Sequence, residues 1–301
     1  MSGGTLAALD IGGTKIAAAL VDRSGTVLRR GRVPTPAGGG DAVLAAAAEL
    51  LDGLGLAGSD VRGLGVGAPG VIDPDTGRVV SATDVLPGWA GTPVRETLTA
   101  LTGLPVTAVN DVRAMAYGEA QAGAGAGHHR VLHVSVGTGV GGALTTGGDL
   151  DHGAHGTAGE LAHLLVPERG PVPCGCGRRD HLEAAASGPA IAATGDAPRA
   201  GALLGRALAG LLAVLDPDAV VIGGGVAQIG APYLDAVAAA FRDEALPPLR
   251  ATPIVPARLG TDAPLVGAAL LAGSLLAGSL PAGSLPAGTP PTGTPVNRSA
   301  R

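Results

Sequence analysis

The sequence predicts an α/β fold in two lobes. Strand-like and helix-like runs alternate along the chain, and three glycine-rich turns each follow an apolar strand. The 301 residues also exceed what one ordinary core holds. Three turns of this kind suggest two similar halves closing over one nucleotide.

The first strand is expected over residues 6–9 and the second over 16–21, joined through Asp10-Ile11-Gly12-Gly13-Thr14-Lys15. Paired glycines let backbone N–H groups come close to a phosphate. Asp10, at the strand end, suits a magnesium ion held directly or through water. Lys15 is the only lysine in the chain. Taken alone, such a turn fits an ordinary hairpin as well as a phosphate site. Strands over 27–33 and 61–67 flank a helix over 41–54. Asp73-Pro74-Asp75-Thr76-Gly77 reads as a turn between 71–72 and 79–80. A helix over 94–101 precedes Val106-Thr107-Ala108-Val109-Asn110-Asp111, and helix formers follow over 114–120. A carboxylate ending a strand points into the crevice where α/β folds bind ligands. Asn and Asp are equally at home as helix N-caps, and local sequence favours the cap.

Glycine and alanine alternate without apolar periodicity over 119–127, which marks a boundary between a first lobe, 1–120, and a second, 121–271. The second lobe opens with a strand over 131–136, the turn Gly137-Thr138-Gly139-Val140-Gly141-Gly142 and a strand over 143–146. The third turn, Gly223-Gly224-Gly225, follows a buried-strand pattern and lies between helices over 200–215 and 233–246. Cys174 and Cys176, with His163 and His181 nearby, fit tetrahedral zinc. They fit equally a glycine-rich loop with free thiols and solvated histidines. From residue 270 the chain repeats in pentads such as Leu-Leu-Ala-Gly-Ser, later Leu-Pro-Ala-Gly-Thr. Residues 265–280 raise a membrane anchor, but recurring Gly and Ser and the prolines from Pro281 leave the apolar run short of the roughly 20 residues a span needs. Residues 272–301 are read as a low-complexity flexible tail.

Composition narrows the function. Apolar residues make up 46% of the chain with only four aromatics, so the core must be built from small aliphatic side chains. A formal net charge of −5 with scattered arginines argues against a nucleic-acid partner. No secretion signal precedes Asp10, and two cysteines one residue apart make no disulfide framework, so a cytoplasmic, reduced location is expected.

Seven segments together carry a resemblance. They are Asp10-Ile11-Gly12-Gly13-Thr14-Lys15, Gly67-Ala68-Pro69-Gly70, Asn110-Asp111, residues 137–142, Gly159-Glu160-Leu161-Ala162-His163, Cys174-Gly175-Cys176-Gly177 with Glu183, and Gly223-Gly224-Gly225-Val226. In this order, over residues 6–271, the chain resembles the ROK group of sugar kinases and sugar-responsive repressors. The resemblance implies the actin–hexokinase–Hsp70 fold: two ribonuclease-H-like lobes with a nucleotide and sugar cleft between them.

It further implies ATP-dependent phosphorylation of a hexose, glucose first and an N-acetylated hexosamine second. Asp111 would be the general base, which overrides the local preference for a cap. Asn110, Glu160, His163 and Glu183 would bind the sugar. Gly12, Gly13, Thr14, Lys15, Gly137 and Thr138 would line the phosphates, and Gly223, Gly224 and Gly225 the adenosine. Zinc would be structural, held by His163, Cys174, Cys176 and His181, and residues 266–271 would form a closing helix that packs back on the first lobe. A homodimer is the group's usual state.

The chain departs from the group's pattern at several places. His181 stands where a third cysteine is usual, Asp180 where a glycine precedes it, and Ala162 where a glycine precedes His163. Asp84 occupies the region of an asparagine in the sugar-side loop, and the segment from Ser187 to Ala200 is short. His152, His155, the His128-His129 pair, Trp89, Tyr117, Asp73 and Asp75 are read as structure. Repressors of the group carry an added helix-turn-helix before the phosphate motif, which here begins ten residues in. A sugar sensor without catalysis would need neither Asp10 nor Asp111.

Overall fold

The computed structural model describes residues 4–56, 60–82, 86–166 and 172–278. Asp84 and residues 279–301, with most of the pentads, lie outside the described residues. The first lobe runs β1 (Thr5–Ile11), β2 (Lys15–Val21), β3 (Val27–Pro34), α1 (Gly39–Gly53), β4 (Val61–Ala68), β5 (Val71–Ile72), β6 (Val79–Ser81), α2 (Val94–Thr102), β7 (Val106–Asn110) and α3 (Asp111–Ala122). The second runs β8 (Arg130–Val136), β9 (Val140–Thr146), β10 (Asp149–Asp151), α4 (Leu182–Ala186), α5 (Gly188–Thr194), α6 (Ala197–Leu215), β11 (Ala219–Gly223), α7 (Ala231–Glu244) and β12 (Ile254–Pro256). A last helix, α8 (Ala263–Leu276), follows.

The two sheets repeat one plan. The first has the order β3-β2-β1-β4-β7 and the second β10-β9-β8-β11-β12. In each, a three-stranded antiparallel meander is extended by two parallel strands. Each meander begins with a hairpin whose turn is glycine-rich, so the first two glycine turns occupy equivalent positions in the two lobes. That repetition is the structural content of the two similar halves expected from sequence.

Two separate cores, built chiefly from Ala, Val, Leu and Ile, fill the lobes. A third cluster joins β1 and β2 to α3 and α8 through Leu6, Ala8, Ala114, Tyr117, Leu265 and Ala268. Close helix approach makes this junction possible: a β-carbon on Gly267 would overlap the carbonyl of Ala114, and one on Gly65 would overlap that of Ala268. Among the described residues, α6 is long and apolar enough to cross a membrane. Its Leu204, Leu208 and Leu212 are buried in the second core, where α6 packs on α7.

Two boundaries differ from expectation. The closing helix does not stop at Leu271, so the tail does not begin at residue 272. Ala272 is buried and Gly273 abuts Leu6, which carries the helix to Leu276. The junction expected as irregular chain from residue 119 is helical to Ala122, and α3 touches strands of both sheets. Glu119 anchors its end, fully buried, accepting hydrogen bonds from the backbone N–H groups of Ala124, Arg258 and Leu259 at 2.7, 3.0 and 2.7 Å.

Candidate active site

The first glycine turn is an antiparallel hairpin turn, as the plainer sequence reading allowed. The Gly12 N–H donates to the Lys15 carbonyl at 2.9 Å, and the Thr35 hydroxyl and N–H donate to the Gly12 and Thr14 carbonyls at 2.6 and 3.1 Å. Thr14 and Lys15 are exposed at its tip. Asp10 stands just before the turn. Burial, and then the nearby Asp111 carboxylate, push its pKa up to about 7 against the opposing pull of Lys15.

At the end of β7, two side chains divide two tasks. Asn110 adopts an extended backbone and caps α3, its Oδ1 accepting from the N–H groups of Val112 and Arg113 at 3.0 and 3.3 Å. Its Nδ2 donates to the Gly70 carbonyl at 3.1 Å, which ties in the Gly67-Ala68-Pro69-Gly70 segment. Asp111 is the first residue of α3 and accepts from Val112 N–H at 2.9 Å. Burial raises its pKa, with backbone hydrogen bonds opposing. The cap therefore falls to Asn110, and Asp111 remains beside Asp10 at the carboxyl ends of parallel strands.

Glu160 arrives on an irregular segment after β10. Its pKa is raised by burial, lowered by Arg113 and His163, and raised again by Asp111 and Glu183, so all five side chains share one field. A small pocket lies between β5, the end of β7 and this segment, lined by Val71, Ile72, Ala108, Asn110, Arg113 and Glu160 among others. Arg113 is buried beneath the segment and His152 faces it across 3.3 Å. The sequence reading names His152 without a role and does not name Arg113. A lone arginine within the apolar Val112 to Met115 face of α3 was the available signal; nothing in the sequence marks Thr35.

The second and third turns meet. Gly137 N–H donates to the Gly139 carbonyl at 2.8 Å, and Gly188, opening α5, donates to the Gly137 carbonyl at 2.7 Å. A β-carbon on Gly137 would lie 4.0 Å from the Gly225 nitrogen, and one on Gly225 would meet nothing within 4 Å. Gly223 packs on Met115 of α3, leaving no room for a side chain. Glu183, in the first turn of α4, accepts from the Val140 N–H at 3.1 Å through Oε2. Its other oxygen faces the Cys174 sulfur at 3.9 Å.

His163, Cys174, Cys176 and His181 converge with their ligand atoms within 4.8 Å of one another. The Nδ1 atoms of His163 and His181 are 3.1 Å apart, and the Cys176 sulfur is 3.3 Å from His181 Nδ1. Two soft sulfurs and two imidazole nitrogens facing a common point fit tetrahedral zinc.

A profile described as the ROK family matches residues 6–199 and 197–274. The chain belongs to the ROK family. It is 33% identical to a glucokinase of Halalkalibacterium halodurans, over 87% of this chain and 93% of that one. It is 36% identical to an N-acetylmannosamine kinase of Yersinia pseudotuberculosis, over 87% and 96%. Among solved structures, a ROK family glucokinase from Streptomyces griseus in complex with glucose and AMPPNP superposes with a TM-score of 0.80 at 32% identity, covering 90% of this chain and all of that one. The two-lobed fold is thus that of the ROK hexokinases.

The departures from the ROK pattern have local explanations. Asp180 adopts a left-handed backbone, φ 57°, the conformation glycine would supply. Its Oδ1 accepts from the Val172 N–H at 2.7 Å and supports that strained geometry. Ala162 is buried without a positive φ, so the extra methyl meets no backbone strain. The shortened segment after Ser187 forms the seven-residue α5. Trp89 is fully buried, its indole N–H donating to the Pro69 carbonyl at 3.0 Å, and Tyr117 packs in the junction core.

Proposed function

We propose that the cleft transfers the γ-phosphoryl group of ATP to a hydroxyl of a hexose, glucose first. By descent the chain is an ATP-dependent, glucokinase-like sugar kinase. The observation that carries the residue-level reading is the adjacency of Asp10 and Asp111, two carboxylates with raised pKa values at the mouth of the first hairpin turn.

Asp111 takes the proton of the attacking hydroxyl while the sugar oxygen bonds to the γ-phosphorus and the bond to the β,γ-bridging oxygen breaks, releasing ADP. Backbone N–H groups of Gly13, Thr14 and Thr138 and the two threonine hydroxyls hold the phosphates, while Gly12 and Gly137, whose N–H groups close the two turns, let the backbone come near them. Lys15, exposed at the turn, adds positive charge, and the open backbone at Gly225 beside Gly223 and Gly224 takes the adenosine. Glu160, Glu183, His163 and the remaining amide N–H of Asn110 bind sugar hydroxyls. Magnesium fits Asp10, whose unmet negative charge a cation would satisfy, and would neutralise phosphate charge. Zinc on the two cysteines and two histidines would fix the His163 ring with Nε2 turned toward the sugar.

The relative named as an N-acetylmannosamine kinase keeps an N-acetylhexosamine as the second substrate reading. Replacing Asp111 with Ala tests the assignment. Sugar affinity by calorimetry should stay within about threefold of wild type while kcat falls by about 10²–10⁴. Full activity in Asp111→Ala would remove Asp111 from the mechanism.

A further inference from the structure

The geometry points to Arg113 as the positioning residue of the sugar site, a buried fork that holds the Glu160-bearing segment against the helix that begins at Asp111. The inference rests on the sugar kinase reading and adds a residue to it.

The segment from His152 to Glu160 has no strand or helix of its own. Gly153, Gly156 and Gly159 all take positive φ, at 64°, 70° and 88°, and such a glycine-rich turn costs much entropy to fix. Its own backbone supplies few bonds, among them Ala158 N–H to the His152 carbonyl at 3.3 Å and Glu160 N–H to the Thr157 carbonyl at 3.1 Å. The Asp151 Oδ1 accepts from the Gly153 N–H at 3.0 Å, and Arg113 ties the segment to α3. Its Nη2 donates to the carbonyls of Gly156 and Ala158 at 2.7 and 3.1 Å. Its Nη1 reaches the Asp151 carbonyl at 3.4 Å and His152 Nδ1 at 3.3 Å. An arginine only donates, so His152 accepts there and is held as the neutral ring protonated on Nε2.

Arg113 is only 5% exposed, and burial of a guanidinium is costly without such bonds. Its nearest countercharges are Glu160 and Asp151. Because Arg113 lies two residues beyond Asp111, one rigid helix start fixes both the base and the segment that would grip the sugar. A planar fork can hold these four acceptors at once, whereas a lysine ammonium cannot.

The test compares Arg113→Lys and Arg113→Met with wild type, following sugar KM, ATP KM and amide hydrogen exchange over residues 151–160. The lysine variant keeps a buried cation, so it serves if the methionine variant fails to fold. Both should raise sugar KM about tenfold or more while ATP KM stays within about twofold, and exchange over 151–160 should accelerate. In an Glu160→Gln background the Arg113 effect on sugar KM should shrink, because both act through one contact. Equal losses for sugar and ATP, full additivity with Glu160→Gln, or unchanged exchange would overturn the positioning role. Faster exchange in a protein that phosphorylates no sugar would uphold the anchor and defeat the kinase reading instead.

Discussion

Gly224, the middle glycine of the third turn, lies so close to the end of β8 that a β-carbon on it would overlap the backbone of Val136, and its φ is +86°. This approach joins the third turn to the second and shapes the floor where adenosine and phosphates would lie together. Gly224→Ala should cost about 2–4 kcal/mol of stability and raise ATP KM at least about tenfold, with sugar KM less affected. Denaturant titration and steady-state kinetics read both quantities; a variant with wild-type ATP KM would separate this turn from the nucleotide.

Asp10 carries a pH signature. Its pKa is about 7 in the folded chain against 3.8 for an unperturbed carboxyl. Between those values the folded chain keeps a proton that the unfolded chain has released, so this group lowers stability as pH rises from about 4 to 7. Asp10→Asn should therefore be more stable than wild type at pH 8 by about 1–3 kcal/mol, and no more stable at pH 3.5. Mg²⁺–ATP binding favours the ionised form, so wild-type ATP KM should climb as pH falls below about 7. Equal stability of the two proteins at pH 8 would contradict the raised pKa.

The cluster of two cysteines and two histidines predicts about one zinc per chain by elemental analysis. Chelation, or His181→Ala, should lower the melting temperature and weaken sugar binding, because His181 immediately precedes the helix that carries Glu183, whose carboxylate joins Val140 to the vicinity of Cys174. His181→Cys should retain zinc. A folded, fully active protein without zinc would dispose of the site.

Glu119, itself buried, closes the lobe junction by accepting from three backbone N–H groups. Glu119→Gln keeps the shape but turns one amide N–H toward a backbone N–H. It should lose about 1–3 kcal/mol of stability, measured by denaturation, with no change in zinc content. An unchanged midpoint would show that the junction is held elsewhere.

How much of this was legible in the sequence follows from what each residue depends on. The longer strands and the three turns announce themselves locally, through apolar runs broken by paired glycines, whereas the three-residue β10 and β12 are too short to show such a run. Asn110 and Asp111 were harder, because one dipeptide carries both a cap and a carboxylate, and only the backbone conformation assigns Asn110 to the first. Arg113 and Glu119 gave little warning. Most of their partners are carbonyls and N–H groups tens of residues away, and such acceptors and donors look alike at every position of a sequence. The extent of α8 is hidden for a related reason: the repeat from residue 270 resembles a linker, yet Ala272 is buried and Gly273 abuts Leu6.

The most direct measurement is ADP release from Mg²⁺–ATP across glucose, mannose, fructose, N-acetylglucosamine and N-acetylmannosamine, with Asp111→Asn beside the wild type. Turnover is expected on at least one sugar, glucose first, falling about 10²-fold or more in the variant. No turnover on any of these sugars by folded, zinc-loaded protein, or equal turnover by the variant, would contradict it.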